Sequence, residues 1–299
     1  MTVIDAPILP VEPPPARARR GPQRGSRSRW VVLFFAAVYF LGPLLAAFLF
    51  TIQDKAKGGI NFHAYADVFA APPNGQESIQ TALLLSVELS VITIAVTLAL
   101  LLPTMLLLHL RFPRVKPVVE MLCLLPLVFP PVVLVVGVSD TLVWTPDHLG
   151  GFALDLVNGI RSPGLPLILA FIYVILCLPY TYRALDAGIR SVDVRTLVEA
   201  SRNLGSGWGT VLYRVLLPSL RTSVVSAAFL CFALVMGEYT IAKILLYKPF
   251  SIWLVELPAN SGQLQVAASM LSLLIINLLL LLIGALNTRR VKKAKGAAA

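Results

Sequence analysis

The sequence predicts an all-α membrane protein of six spanning helices with both termini on the cytoplasmic side. Three observations carry that expectation. Of 299 residues, 57% are hydrophobic and only 13% are charged, against about 25% charged in an ordinary water-soluble domain. Mean hydropathy is +0.81, concentrated in runs long enough to cross a hydrocarbon core of about 30 Å at about 1.5 Å per residue. The 25 Lys and Arg residues lie almost entirely between those runs and are unequally shared between the two sides.

The first run, Trp30–Ile52, carries no charged side chain. It is too long for the roughly 7–15-residue core of a secretory signal, and no convincing small-residue cleavage site follows it. The others are Ile79–Leu110, interrupted by Glu88; Val118–Ser139; Leu165–Tyr182; Thr222–Ala242, interrupted by Glu238; and Leu264–Leu286. Six spans return the chain to the side on which it began. On that side fall the arginines before Trp30, then Arg111, Arg114 and Lys116, the arginines from Arg183 to Arg221, and the basic residues after Asn287. Those are 20 of the 25; the other side holds Lys55, Lys57, Arg161, Lys243 and Lys248. The positive-inside rule makes the richer side cytoplasmic. The net charge of +10 therefore reflects membrane topology rather than nucleic-acid binding.

The expected organisation is a basic, Pro- and Arg-rich disordered tail over 1–29, a membrane domain over 30–288, and a basic tail over 289–299. Loops punctuated by Pro, Gly and Asn fill the outer side over 53–78 and 140–164. Pro126, Pro130 and Pro131 fall within the third run. Each removes a backbone donor, which lipid tolerates only where protein or water satisfies the freed groups, so this span is expected to face the protein interior.

Little chemistry is expected of the chain itself. Cys123, Cys177 and Cys231 each lie inside an apolar run, which argues against a disulfide framework. His63, His109 and His148 lack metal-ligand spacing. Gly205-Ser206-Gly207-Trp208-Gly209-Thr210 has glycines but no following Lys, so it is no phosphate loop. No catalytic residue and no metal site are assigned.

The longest connection on the basic side runs from Arg183 to Arg221. Val194, Leu197, Val198, Ser201 and Leu204 recur at spacings of three and four, with Asp193 placed to cap the start and Gly205 to end the helix. A second helix follows, with Ser206 as its cap and Val211, Leu212, Val215 and Leu216 on one face, until Pro218 breaks or bends it. The residues alone fit two readings, a rigid protrusion that transmits force or an interfacial hairpin flat on the headgroups.

Counting from Glu199, the chain reads Glu-Ala-Ser, three residues, Gly205, nine residues, Val215, one residue, Leu217-Pro218. This resembles the E-A-A-x3-G-x9-I-x-L-P loop of the inner-membrane permease subunits of binding-protein-dependent ABC importers, departing at Ser201 and Val215. The span order from Ile79, the Leu125-Pro126 to Pro131 segment and Leu178-Pro179-Tyr180 are similar to the same family. The resemblance implies a type I ABC importer permease fold in a bacterial-type inner membrane. It implies that Glu199, Ala200, Ser201, Gly205, Leu217 and Pro218 form the element that docks on the ATPase. In that reading Ala200 allows close approach, Gly205 makes the turn, and Glu199 anchors the loop. The implied partners are two ATPase subunits that bind ATP and Mg, a second permease subunit, an extracytoplasmic solute-binding protein and the bilayer.

Glu88 and Glu238 stand at similar depth, about 14 Å inside the outer boundary at the helical rise. A carboxylate in hydrocarbon costs at least about 2.5–3.5 kcal/mol, so each is expected to face a cavity or a partner. With Tyr239 they suit a cationic solute, and Gly237-Glu238-Tyr239-Thr240 resembles the polyamine and ferric-iron branch of these permeases. The solute expectation is therefore spermidine or putrescine, with ferric iron, sulfate or phosphonate as alternatives within the family. An alternative of another class is an ion-coupled secondary transporter using Glu88 and Glu238 as ion sites.

Overall fold

The computed structural model of the chain describes residues 26–53, 59–70, 78–149, 151–162, 164–257 and 262–296. Among these the backbone is helical, apart from turns and one isolated antiparallel bridge between Gln53 and Ile60. The chain divides into two units, 1–49 and 50–299. The described part of the first lies within α1 (Ser26–Ile52), which is apolar on every face, as a helix solvated by lipid is. Residues 1–25 of the expected tail lie outside the described residues.

The second unit opens with α2 (His63–Phe69) and α3 (Ile79–Leu110). Ser78 caps α3 by accepting from the Thr81 amide at 3.3 Å. Then come α4 (Lys116–Leu124), a single 3-10 turn at Leu125–Leu127, α5 (Pro131–Leu149) and α6 (Gly151–Ile160). The long α7 (Leu167–Arg190) leads to α8 (Val194–Asn203), α9 (Trp208–Thr210), a π-helical stretch Val211–Leu216 and α10 (Leu217–Ser219). The unit ends with α11 (Arg221–Gly237), α12 (Thr240–Ile244), α13 (Phe250–Val255) and α14 (Gly262–Gly296).

Among the described residues four helices, Trp30–Ile52, Ile79–Leu110, Leu167–Arg190 and Gly262–Leu281, are long and apolar enough to cross a membrane. Two bent pairs bring the number to six if each is one span. Lys116–Leu127 meets Pro131–Thr145 at 96°, and Trp208–Ser219 meets Arg221–Gly237 at 75°. Proline chemistry accounts for both breaks. Pro130 and Pro131 lack the amides that would continue α4, and Pro131 instead begins α5, where no donor is needed. Pro218 cannot donate to the Arg214 carbonyl, and the turn before it widens to π geometry before the chain bends at Leu220.

Several span boundaries differ from expectation. The fourth span does not stop at Tyr182; α7 continues to Arg190, which pairs with Asp186 one turn earlier. The fifth ends at Gly237, before Glu238 rather than after it. The last helix runs past Leu286 to Gly296, so much of the basic C-terminal segment is helical. The proline-rich third span does not face the interior of this chain. Val128 is 77% exposed, Leu127, Val132 and Val133 are also exposed, and of the described side chains between Val118 and Ser139 only Cys123 and Val135 are buried.

The core belongs to α3, α7 and α11. Leu89, Leu169, Ile172, Tyr173, Cys177, Cys231 and Val235 interlock in its middle. On α3 the buried side chains Ser86, Ser90, Thr93 and Thr97 recur every three or four residues, a stripe of small polar groups that lets membrane helices approach closely. Three of the four hydroxyls find backbone partners: Ser90 Oγ donates to the Ser86 carbonyl at 2.7 Å, Thr93 Oγ1 to the Ala170 carbonyl at 3.4 Å, and Ser86 Oγ accepts from the Phe250 amide at 2.8 Å.

Where α7 crosses α11, Gly188 lies against Ser223, and a Cβ at 188 overlaps both the Ser223 hydroxyl and its Cβ. Gly188→Val is expected to push these helices apart and lower stability by about 1–3 kcal/mol. Thermal unfolding of the detergent-solubilised protein checks it, and an unchanged melting temperature overturns the close-contact reading.

Candidate functional site

The site is built on the segment that follows α7. Asp193 caps α8: its Oδ1 accepts from the Thr196 amide at 3.2 Å and its Oδ2 from the Thr196 hydroxyl at 2.7 Å. The Thr196 hydroxyl, then the amide, hold the Asp193 carboxyl below its ordinary range. At the other end the Ser206 amide donates to the Ser201 carbonyl at 3.1 Å and the Gly205 amide to that of Arg202 at 2.9 Å. This is a Schellman closure with Gly205 at φ +80°. The turn is clasped from outside by Arg202, which donates to the Ser206 carbonyl at 3.2 Å and lies 5.4 Å over the Trp208 ring. The expected cap Ser206 is displaced by one residue; Gly207 holds the cap position and makes no side-chain capping bond.

One face of this hairpin is packed. Val194 and Val198 on α8 join Val211, Leu216 and Leu220, and the group continues into Leu102, Met105 and Leu106 of α3 and Leu185 and Ile189 of α7. The hairpin's apolar face is thus occupied by the helical bundle, which argues against a hairpin flat on headgroups. Leu204, expected on the same face, is instead 86% exposed, because it is the cap residue where the helical progression ends.

Glu199 and Ala200 are exposed, and Ser201 is buried with its hydroxyl donating to the Leu197 carbonyl at 2.7 Å. Glu199 pairs within its own helix, Arg195 Nε lying 3.2 Å from Oε1; both are exposed, so the pair contributes little to stability. Leu217 is half-buried beside the hairpin core, and Pro218 is exposed at the bend. Of the residues predicted for this element, the structure brings Glu199, Ala200 and Gly205 onto one short hairpin and places Leu217 and Pro218 at its return.

Gly205→Ala leaves free space around the new methyl group, so its effect is purely conformational. The variant is expected to lose about 1 kcal/mol from the hairpin, the cost of holding a side-chain residue in the left-handed region. Faster amide exchange over 200–206 in the variant measures it, and unchanged exchange overturns it.

A cluster missed by the sequence reading sits where α3, α4 and α7 converge. Asp186 Oδ1 lies 2.8 Å from Lys116 Nζ and 3.4 Å from His109 Nε2, and Oδ2 lies 2.7 Å from Arg190 Nε. His109 Nδ1 is 2.8 Å from the Met105 carbonyl and Nε2 is 3.0 Å from Lys116 Nζ. With Nδ1–H donating to the carbonyl, Nε2 is free to accept from the ammonium. Asp186 thus binds α7 to Lys116 of α4, and Lys116 in turn donates to His109 of α3, so the cluster ties three helices at the basic end, beneath the hairpin that α7 leads into. The only sequence signal was the Asp186–Arg190 spacing, which becomes visible once α7 is extended.

Glu88 and Glu238 stand in different surroundings. Glu88 is exposed on α3. Glu238 is 8% exposed in the break between α11 and α12, where its Oε1 accepts from the Ile241 amide at 2.8 Å and Oε2 from the Ala242 amide at 3.3 Å. Ser251 Oγ donates to its carbonyl. Tyr239 next to it is exposed. Lys243 does not pair with Glu238; it lies 2.7 Å from Glu256, and that hydrogen bond, with Lys248 at 3.4 Å, holds the Glu256 carboxyl below its usual range. Among the described residues no group of three or more His, Cys, Asp or Glu side chains is placed to hold a metal ion.

Apolar helices of spanning length, with a capped and braced hairpin at their basic end, are the features of a multi-pass membrane protein. The chain belongs to the family of binding-protein-dependent transport system inner membrane components, the permease subunits of ABC importers, whose pattern matches residues 106–293. It is 33% identical over 175 residues to the molybdenum transport system permease protein ModB of Mycobacterium bovis and of Mycobacterium tuberculosis. That similarity covers 54% of this chain and 60% of each relative, so the chain spans under two thirds of the length of these curated relatives. The likeness to polyamine permeases expected from Gly237 to Thr240 has no counterpart in the names of these relatives. Family membership also sets aside the ion-coupled secondary transporter.

Proposed function

We propose that this chain is the solute-conducting permease of an ATP-driven importer, working by alternating access with a second permease subunit, two ATPases and an extracytoplasmic binding protein. ATP and Mg are held by the ATPases; this chain contributes the path and the lever. The supporting observation is the two-sidedness of the hairpin. Its outer face presents Ala200, small enough for close approach, while its inner face is continuous with the packed core of α3 and α7. A push on the outer face is therefore delivered to the bundle. Six apolar runs place both termini on one side, and the excess of basic residues on that side supports its being the cytoplasm. Labelling tests this directly, because Cys123, Cys177 and Cys231 are buried and give little background. A Leu204→Cys variant is expected to react with a membrane-impermeant maleimide in inside-out vesicles but not in intact cells; the reverse overturns the orientation.

For the solute, an oxyanion of the molybdate type is the reading supported by the relatives' names. The case for a cationic solute is weakened because both carboxylate oxygens of Glu238 are engaged by backbone amides. Polyamine is the second reading, resting on the exposed Glu88 and Tyr239. Cells lacking this chain are expected to lose uptake of labelled molybdate and to regain it on complementation. Loss of spermidine uptake with molybdate uptake intact decides for the polyamine reading.

A further inference from the structure

Between the inner end of α3 and the hairpin lies a groove of about 330 Å³. One wall carries Pro103, Leu107 and Leu110, spaced along a single face of α3; the other carries Trp208, Leu212 and Leu216. The polar side-chain groups among its lining residues are the Trp208 indole and the Arg111 guanidinium, which stands where α3 ends. Arg202, stacked 5.4 Å over Trp208, brings a second guanidinium to the same neighbourhood.

We infer that this groove holds one anionic phospholipid, its acyl chain between the leucine walls and its phosphodiester at Arg111. The walls offer almost no hydrogen-bonding groups, which disfavours a water-soluble solute and suits a hydrocarbon tail. Arg111 ends an apolar span, at the level where headgroups lie, and guanidinium is matched to phosphate oxygens in shape and charge. Trp208 has the amphipathic ring that favours a membrane boundary. Since one wall is the hairpin and the other the bundle, the lipid fills the space between lever and load. This inference rests on the proposed orientation, in which the basic end meets the anionic cytoplasmic leaflet.

The test uses the permease co-purified with its ATPase, exchanged into nanodiscs of phosphatidylcholine with phosphatidylglycerol and read by native mass spectrometry. Wild type is expected to retain one phosphatidylglycerol per chain. Arg111→Gln is expected to lower its preference over phosphatidylcholine about five-fold, the effect of one basic residue at an anionic surface. Leu107→Trp, which fills the groove from a half-exposed position, is expected to exclude both lipids. Equal phosphatidylglycerol retention in all three proteins overturns the inference, as does cross-linking of a photoreactive residue at 212 to the ATPase instead of to lipid. Absence of the ATPase from the preparation, with lipid retention following the expected pattern, overturns the coupling reading while supporting this one.

Discussion

Asp186→Asn is expected to destabilise the protein by about 3 kcal/mol, because removing one partner of a largely buried ion pair leaves the other uncompensated. The loss arises mainly at Lys116, whose side chain is 18% exposed. Arg190 is 61% exposed and can turn into solvent, so Arg190→Gln is expected to cost at most about 1 kcal/mol. Asp186→Asn combined with Lys116→Met is expected to recover most of the loss, since deleting both members of a buried pair is often close to neutral. Denaturant titration of the detergent-solubilised protein measures the set. If the double variant is as unstable as the single one, the carboxylate is held by something other than the cations around it.

Ala200→Glu is expected to act in the opposite way, leaving stability within about 0.5 kcal/mol while weakening ATPase association about 30-fold. The position is exposed in this chain, and surface changes away from packed features rarely alter stability further. On the proposed docking face, a bulky charge at this position strikes where interface energy concentrates, and a loss of about 2 kcal/mol corresponds to that factor. Co-purification with the ATPase, alongside a melting curve of the variant, separates the two effects. Wild-type association by the Glu variant removes Ala200 from the coupling face. The Asp186 and Ala200 variants thus divide the basic end into a part that holds the bundle together and a part that faces outward.

The hairpin that follows α7 was the most legible part of the molecule. Asp193, Gly205 and the spacing of Val194 and Val198 act over one or two turns, and the structure bears out each of them. Leu204 was misread because an ideal helical period was carried one residue past the helix end. Glu238 was visible as an acid in an apolar run, but its role was not. Helix α11 stops one residue earlier, and that break frees the amides of Ile241 and Ala242 for its carboxylate. The three prolines were read as marking a span that faces the interior; the structure instead bends the span between Leu127 and Pro131 and leaves most of its apolar side chains exposed in this chain.

By itself the sequence determined the apolar runs, the sidedness of the charge and the capped hairpin, since each depends on neighbours within a few turns of chain. Only the tertiary structure decided that α3, α7 and α11 form the core, that His109, Lys116 and Asp186 meet, and that an apolar groove opens beside Arg111. Those outcomes depend on which helices come to lie together and at what angle. Hydropathy and period constrain which face of a helix is apolar, but carry no record of the distance between segments remote in sequence.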